Sequence, residues 1–150
     1  MQTYPLLQTK LHIPPVRPEC VMRPRLLERL NAGLGQNGDA GCKLTLISAP
    51  AGFGKTTLVA EWVRSLSEAG TADGIAWLSL DRQDNDLRVF LEYILAAIES
   101  IVPQALPRTR LILASPTLPP AGVIATSLIN ELLELDREFV LVLDDAHVLN

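Results

Sequence analysis

An α/β domain built on a parallel sheet is what this sequence predicts, on three observations. Short apolar runs of strand length, Leu44–Ile47, Ile75–Leu80 and Phe139–Leu143, alternate with longer segments whose apolar residues recur at helical spacing. A glycine-containing loop, Ala49-Pro50-Ala51-Gly52-Phe53-Gly54, follows the first run and leads into a helical pattern. The third run ends in two acids, Asp144-Asp145. Strands separated by helices of this length favour a parallel sheet covered on both faces, a three-layer α/β/α architecture.

Taken in order, Pro5, Pro14, Pro15 and Pro18 make residues 1–22 an extended arm. Pro24 suits a first helical turn, and Leu26, Leu27, Leu30 and Leu34 continue on one face. Asn31–Gly41 reads as a loop, which divides an N-terminal arm and helix (1–40) from a core (41–150). The core starts with a strand over Lys43–Ser48, the glycine loop, and a helix from Thr56 to Leu66 burying Leu58, Val59, Trp62, Val63 and Leu66. Ile75–Leu80 is the second strand. Asp86 caps a helix whose buried stripe is Phe90, Leu91, Ile94, Leu95, Ile98, Ile101 and Val102. Pro103–Pro120 reads as a proline-spaced connection with at most a short element at Leu111–Leu113. Ile124, Leu128, Ile129, Leu132 and Leu135 mark a last amphipathic helix before the strand Phe139–Leu143.

With 150 residues, 48% hydrophobic and 20% charged, the chain suits one globular domain. No apolar run approaches the ~20 residues that span a bilayer. Met1–Pro5 lacks the basic and apolar regions of a signal peptide, so a cytoplasmic location without a membrane partner is expected. Cys20 and Cys42 are too few for a disulfide framework or a zinc site. The net charge of −4 does not favour nucleic acid, although residues up to Arg29 are basic and those after Glu131 acidic.

The run Ala49-Pro50-Ala51-Gly52-Phe53-Gly54-Lys55-Thr56-Thr57 has the order of a phosphate-binding P-loop: strand, glycine loop, helix. Glycines let the backbone curl so that N–H groups face an anion, and the helix N-terminus adds its dipole. Lys55 supplies a point charge for the outer phosphates, and Thr56 a hydroxyl for Mg²⁺. The strict pattern starts with Gly where Ala49 stands, which is harmless if φ is negative there. Phe139–Leu143 followed by Asp144-Asp145 has the Walker B form, with Asp144 expected to hold Mg²⁺ and Asp145 to orient the attacking water. Together these features predict a P-loop NTPase.

Other residues carry less. His147 could pair with Asp145 or respond to the γ-phosphate, but capping the turn is the simpler role. Asp81, Asp84, Asn85 and Asp86 lack the glycine and terminal Glu of an EF-hand and read as a solvated loop with a helix cap. Trp62 and Trp77 read as core, and His12 supports no assignment.

Leu7–Pro15, Arg23-Pro24-Arg25-Leu26-Leu27-Glu28-Arg29-Leu30, Ser48–Thr57, Ala76–Asp81 with Asp84–Asp86, and Leu143–His147 together resemble the start of MalT-type transcriptional activators. These are large LuxR-class bacterial regulators in the STAND branch of P-loop ATPases. An aromatic often stands there in place of Ala146. The resemblance implies binding of ATP or ADP with Mg²⁺, a small-molecule inducer, self-association, and promoter binding by a C-terminal domain beyond these residues. It places Arg23 beside the adenine. It also implies that the chain stops short of a strand lying between those of the two motifs. A marginal, aggregation-prone chain with poor turnover and an exposed apolar edge is then expected. Hydrolysis would reset the switch. A nucleotide-dependent oligomerisation module without hydrolysis stays open. A small-molecule kinase would need an acceptor pocket and an arginine-bearing lid, which no segment proposes. A GTPase is disfavoured by His147 and by the absence of a guanine-reading motif.

Overall fold

The computed structural model describes residues 5–19, 21–34, 44–72 and 74–149. Their helices are α1 (Pro24–Gly33), α2 (Lys55–Ala69), α3 (Leu87–Glu99), α4 (Pro107–Ala114) and α5 (Ala121–Glu134). Their strands are β1 (Gly74–Ser79) and β2 (Phe139–Asp144). One compact unit joins the chain up to His12 with the chain from Ala72 onward, and the other is Ile13–Thr71.

In the first unit β1 and β2 pair in parallel, from Gly74 opposite Phe139 to Ser79 opposite Asp144. The α/β class and the parallel pairing agree with the sequence. The core lies where Ala76, Leu78 and Leu80 meet Leu91, Ile94, Leu95 and Ile98 of α3, and it continues through Leu106, Leu113 and Ile124. The helical i, i+3, i+4, i+7 spacing builds the α3 stripe. Asp86 starts that helix, accepting from the Val89 N–H at 3.0 Å. Gly74 sits so close to Ile101 that an added Cβ would lie 2.0 Å from its Cγ2.

Helix α4 corrects the expectation of a proline-spaced connection. Pro107 occupies its first turn, where a missing N–H costs nothing. Its remaining ends are closed by distant side chains. Buried Glu131 of α5 accepts from the Arg108 N–H at 2.6 Å, the Thr109 N–H at 2.9 Å and the Thr109 hydroxyl at 2.6 Å. Arg88 of α3 donates to the carbonyls of Leu113 and Ser115 at the other end. Burial opposes the charge on Glu131, but the bonds from Thr109 and Arg108 outweigh it and hold the carboxyl below its usual range. On α5, Ile124 is buried as expected, whereas Ile129 is 55% exposed and leaves the predicted stripe.

The arm before His12 is not simply extended. Gln8–Leu11 forms a 3-10 turn, which carries Lys10 into a buried ion cluster. The ammonium donates to both Asp84 oxygens at 2.8 and 2.6 Å, and lies 3.1 Å from Asp81 Oδ2. It also sits 4.3 Å above the Tyr93 ring, whose hydroxyl accepts from the Leu7 N–H at 3.0 Å. The expected solvated loop is thus half right: Asp86 and Asp81 are exposed caps, but Asp84 is 2% exposed and neutralised by Lys10.

In the Ile13–Thr71 unit, Asn31 Oδ1 accepts from the Trp62 indole N–H at 2.9 Å and links α1 to α2. Residues 31–33 of the expected loop therefore belong to the first helix and Leu34 closes it, while 35–41 lies outside the described residues. Helix α2 buries Leu58, Trp62, Val63 and Leu66, with Val59 half-buried, and ends at Gly70, whose φ of +63° only glycine takes easily. The strand expected over Lys43–Ser48 is not formed: Lys43 lies outside the described residues, and 44–48 is irregular. Leu44 and Leu46 are 80% and 84% exposed. Apolar composition marks a segment that could be buried, but strand geometry comes from a ladder and from packing on its faces.

A glycine loop at a helix start and an acidic strand end

The backbone of Pro50–Lys55 turns sharply because Gly52 and Gly54 take φ of +82° and +75°. A Cβ at Gly52 would meet nothing within 4 Å, so that side of the loop is open. Among the described residues other than glycine, positive φ occurs only at Gln104 and Asp145. Ala49 accordingly meets the condition set by the departure from the strict pattern. Gly54 is the cap residue of α2 and brings no side-chain cap, and the first turn of that helix holds no acid. Both features suit an anion there.

Lys55 bridges the loop from inside. Its ammonium donates to the carbonyls of Ala49 at 2.7 Å and Pro50 at 3.1 Å. This ties the start of the loop to its end and keeps a compact cation at the helix N-terminus. From α1, Arg23 reaches the same loop, its Nη1 donating to the Phe53 carbonyl at 3.0 Å. Beside Thr57 a cleft of about 380 Å³ opens, lined also by Pro15, Arg17 and Glu19. The structure thus brings together Arg23 and Ala49–Thr57. In the sequence Arg17 counted only toward the basic N-terminal stretch and Glu19 belonged to no motif, because prolines hide any periodicity in that arm.

In the other unit, β2 delivers Asp144 at its last position, opposite Ser79. The Asp144 carbonyl accepts from the Leu80 N–H at 3.0 Å, which extends the ladder past the strand ends. Asp145 takes the left-handed conformation, φ +57°, an uncommon state for a side-chain-bearing residue and one frequent at functional turns. Its carboxylate is half exposed and lies 3.7 Å from His147 Nδ1. Asn85, in the turn after β1, donates to the Val148 carbonyl at 3.0 Å. The loops following both strands are therefore joined at the carboxyl end of the sheet, the edge where open α/β sheets bind ligands.

The residues fit a nucleotide phosphate: a glycine-shaped loop with an open side, a lysine fixed across it and an uncapped helix start. Thr56, within the same unit as the loop, offers a hard oxygen of the kind that Mg²⁺ takes in small number alongside phosphate and water. Among the described residues no cluster of three or more His, Cys, Asp or Glu could hold a metal by itself. None of their helices is long and apolar enough to cross a membrane.

Residues 19–150 match the AAA ATPase domain family. The chain is 35% identical over 144 residues to the HTH-type transcriptional regulator MalT of Yersinia enterocolitica, covering 96% of this chain and 15% of that protein. It is 31% identical over 145 residues to MalT of Klebsiella pneumoniae, covering 97% of this chain and 15% of the relative. It is 38% identical over 127 residues to the serine/threonine-protein kinase PknK of Mycobacterium tuberculosis, covering 85% of this chain and 11% of the kinase. The chain thus spans about one seventh of the MalT regulators or less of such relatives.

Proposed function

We propose that this chain, which belongs to the AAA ATPase domain family, is the ATP-binding switch module of a LuxR-class transcriptional regulator. The observation that carries the reading is the Lys55 ammonium held across a loop shaped by Gly52 and Gly54 at the start of α2. The similarity to proteins named as a regulator and as a kinase supports a shared nucleotide module, because the matched span is a small part of each.

In this reading Ala49–Thr57 cradle the phosphates of ATP, with Lys55 neutralising the outer ones, and the cleft beside Thr57 receives the nucleoside. Thr56 and Asp144 are the proposed ligands of Mg²⁺, a pairing that rests on the two sequence motifs. Held there, Mg²⁺ would supply Lewis-acid stabilisation of phosphate charge. Asp145 orients the attacking water, and its exposed carboxylate is accessible for that role. Hydrolysis then resets the switch. Inducer recognition, self-association and promoter binding belong to the longer protein, acting in the cytoplasm.

Asp145→Asn tests this assignment. ATP binding is expected to persist, while turnover falls by about a hundredfold or more, the low end for losing an acid–base group. Loss of binding would show that Asp145 has been misassigned. Unchanged turnover would remove its catalytic role.

A further inference from the structure

Phe53 lies between Gly52 and Gly54, both in left-handed backbone. The peptide joining Phe53 to Gly54, like the one before Gly52, can therefore rotate at little cost. Flipping it changes ψ of Phe53 and φ of Gly54, and glycine accepts either sign of φ. Orientation of this peptide matters for an anion. No described peptide bond is cis, so its carbonyl and its N–H point in opposite directions. One orientation offers the Gly54 N–H to a phosphate at the helix start; the other offers a carbonyl oxygen, which repels it.

Arg23 takes hold of that carbonyl at 3.0 Å. Its Nη2 lies 3.7 Å from where a Cβ on Gly54 would sit, so the guanidinium flanks the whole peptide. We propose that Arg23 is a positioning residue that fixes the Phe53–Gly54 peptide with its N–H turned toward bound phosphate. The flipped peptide would lose a charge-assisted bond and set N–H against N–H. The proposal rests on the nucleotide reading for the identity of the anion, but not for the orientation of the peptide. It gives Arg23 a task on the phosphate side of the site, distinct from a contact with adenine.

The test compares wild type, Arg23→Ala and Arg23→Lys. Affinities for ADP and for inorganic pyrophosphate are measured by competition with fluorescent ADP, and the Gly54 amide resonance is followed in ligand-free chain. Arg23 is exposed, so neither variant is expected to alter the melting curve. Arg23→Ala is expected to weaken ADP and pyrophosphate by the same factor, about tenfold for one lost bond to a charged group. It should also shift the Gly54 amide in the absence of ligand, while Arg23→Lys, which keeps a cationic donor, stays closer to wild type. Weakened ADP with unchanged pyrophosphate would assign Arg23 to the base and overturn the proposal. So would a Gly54 amide that does not move. Failure of wild type to bind either ligand would sink the nucleotide reading, and the resonance alone would then decide the peptide lock.

Discussion

Replacing Lys10 by Met should be the most damaging single change outside the glycine loop. Lys10 is 7% exposed and Asp84 2% exposed, so the substitution strands a carboxylate with little access to water. Breaking a buried pair from one side costs about 3–5 kcal/mol. The low end, about 3 kcal/mol, applies because Asp84 keeps the bond from the Asp81 N–H at 2.7 Å and because Asp81 is half exposed. Against a typical domain stability of ~5–15 kcal/mol that is a large fraction. With m near ~2 kcal/mol/M the urea midpoint would fall by roughly 1.5 M, followed by tryptophan fluorescence. Combining Lys10→Met with Asp84→Leu should recover part of the loss, since removing both charges leaves none buried alone. Burial opposes the Lys10 charge, yet the bonds to Asp84 and Asp81 outweigh it and raise the pKa above 10.5. This contribution is complete below pH 10.5 and disappears as pH rises through the higher folded value. A Lys10→Met cost under about 0.5 kcal/mol, typical of surface positions, would refute the argument.

Glu131→Gln should destabilise the chain by about 1–2 kcal/mol, because one oxygen that accepts from α4 becomes a donor. Its lowered pKa makes that stabilisation complete above 4.5 and lost as pH falls through the folded value, so wild type and variant should converge in thermal melts under acid. Gly74→Ala should cost about 1–3 kcal/mol by forcing Ile101 away from β1, read as a lower melting temperature.

Most of the fold was legible because its signals are local. The strands β1 and β2 and the helices α2, α3 and α5 follow from apolar runs and 3.6-residue spacing. Helix α4 was not, since Glu131 and Arg88 close its ends from other helices and no local pattern announces them. The Lys10–Asp84 pair joins residues far apart in the chain, with nothing in either neighbourhood to match them. At 44–48 the composition suggested a strand, but strand formation depends on a ladder that composition does not encode. The candidate site divides along the same line. Ala49–Thr57 is contiguous, and its order of strand-like run, glycines and lysine states its chemistry. Arg23 was marked only through family resemblance, and its hold on the Phe53 carbonyl needed coordinates. The left-handed Asp145 is likewise a backbone fact that Asp-Asp alone does not reveal.

Whether the loop held by Lys55 binds nucleotide is decided by calorimetric titration of the folded chain with ATP, ADP and GTP in Mg²⁺, with Lys55→Ala alongside. Binding of ATP and ADP in preference to GTP is expected, weakened at least about tenfold in the variant by loss of a charged donor. A folded chain that binds no nucleotide, or one whose ATP affinity is indifferent to Lys55→Ala, would contradict the nucleotide reading.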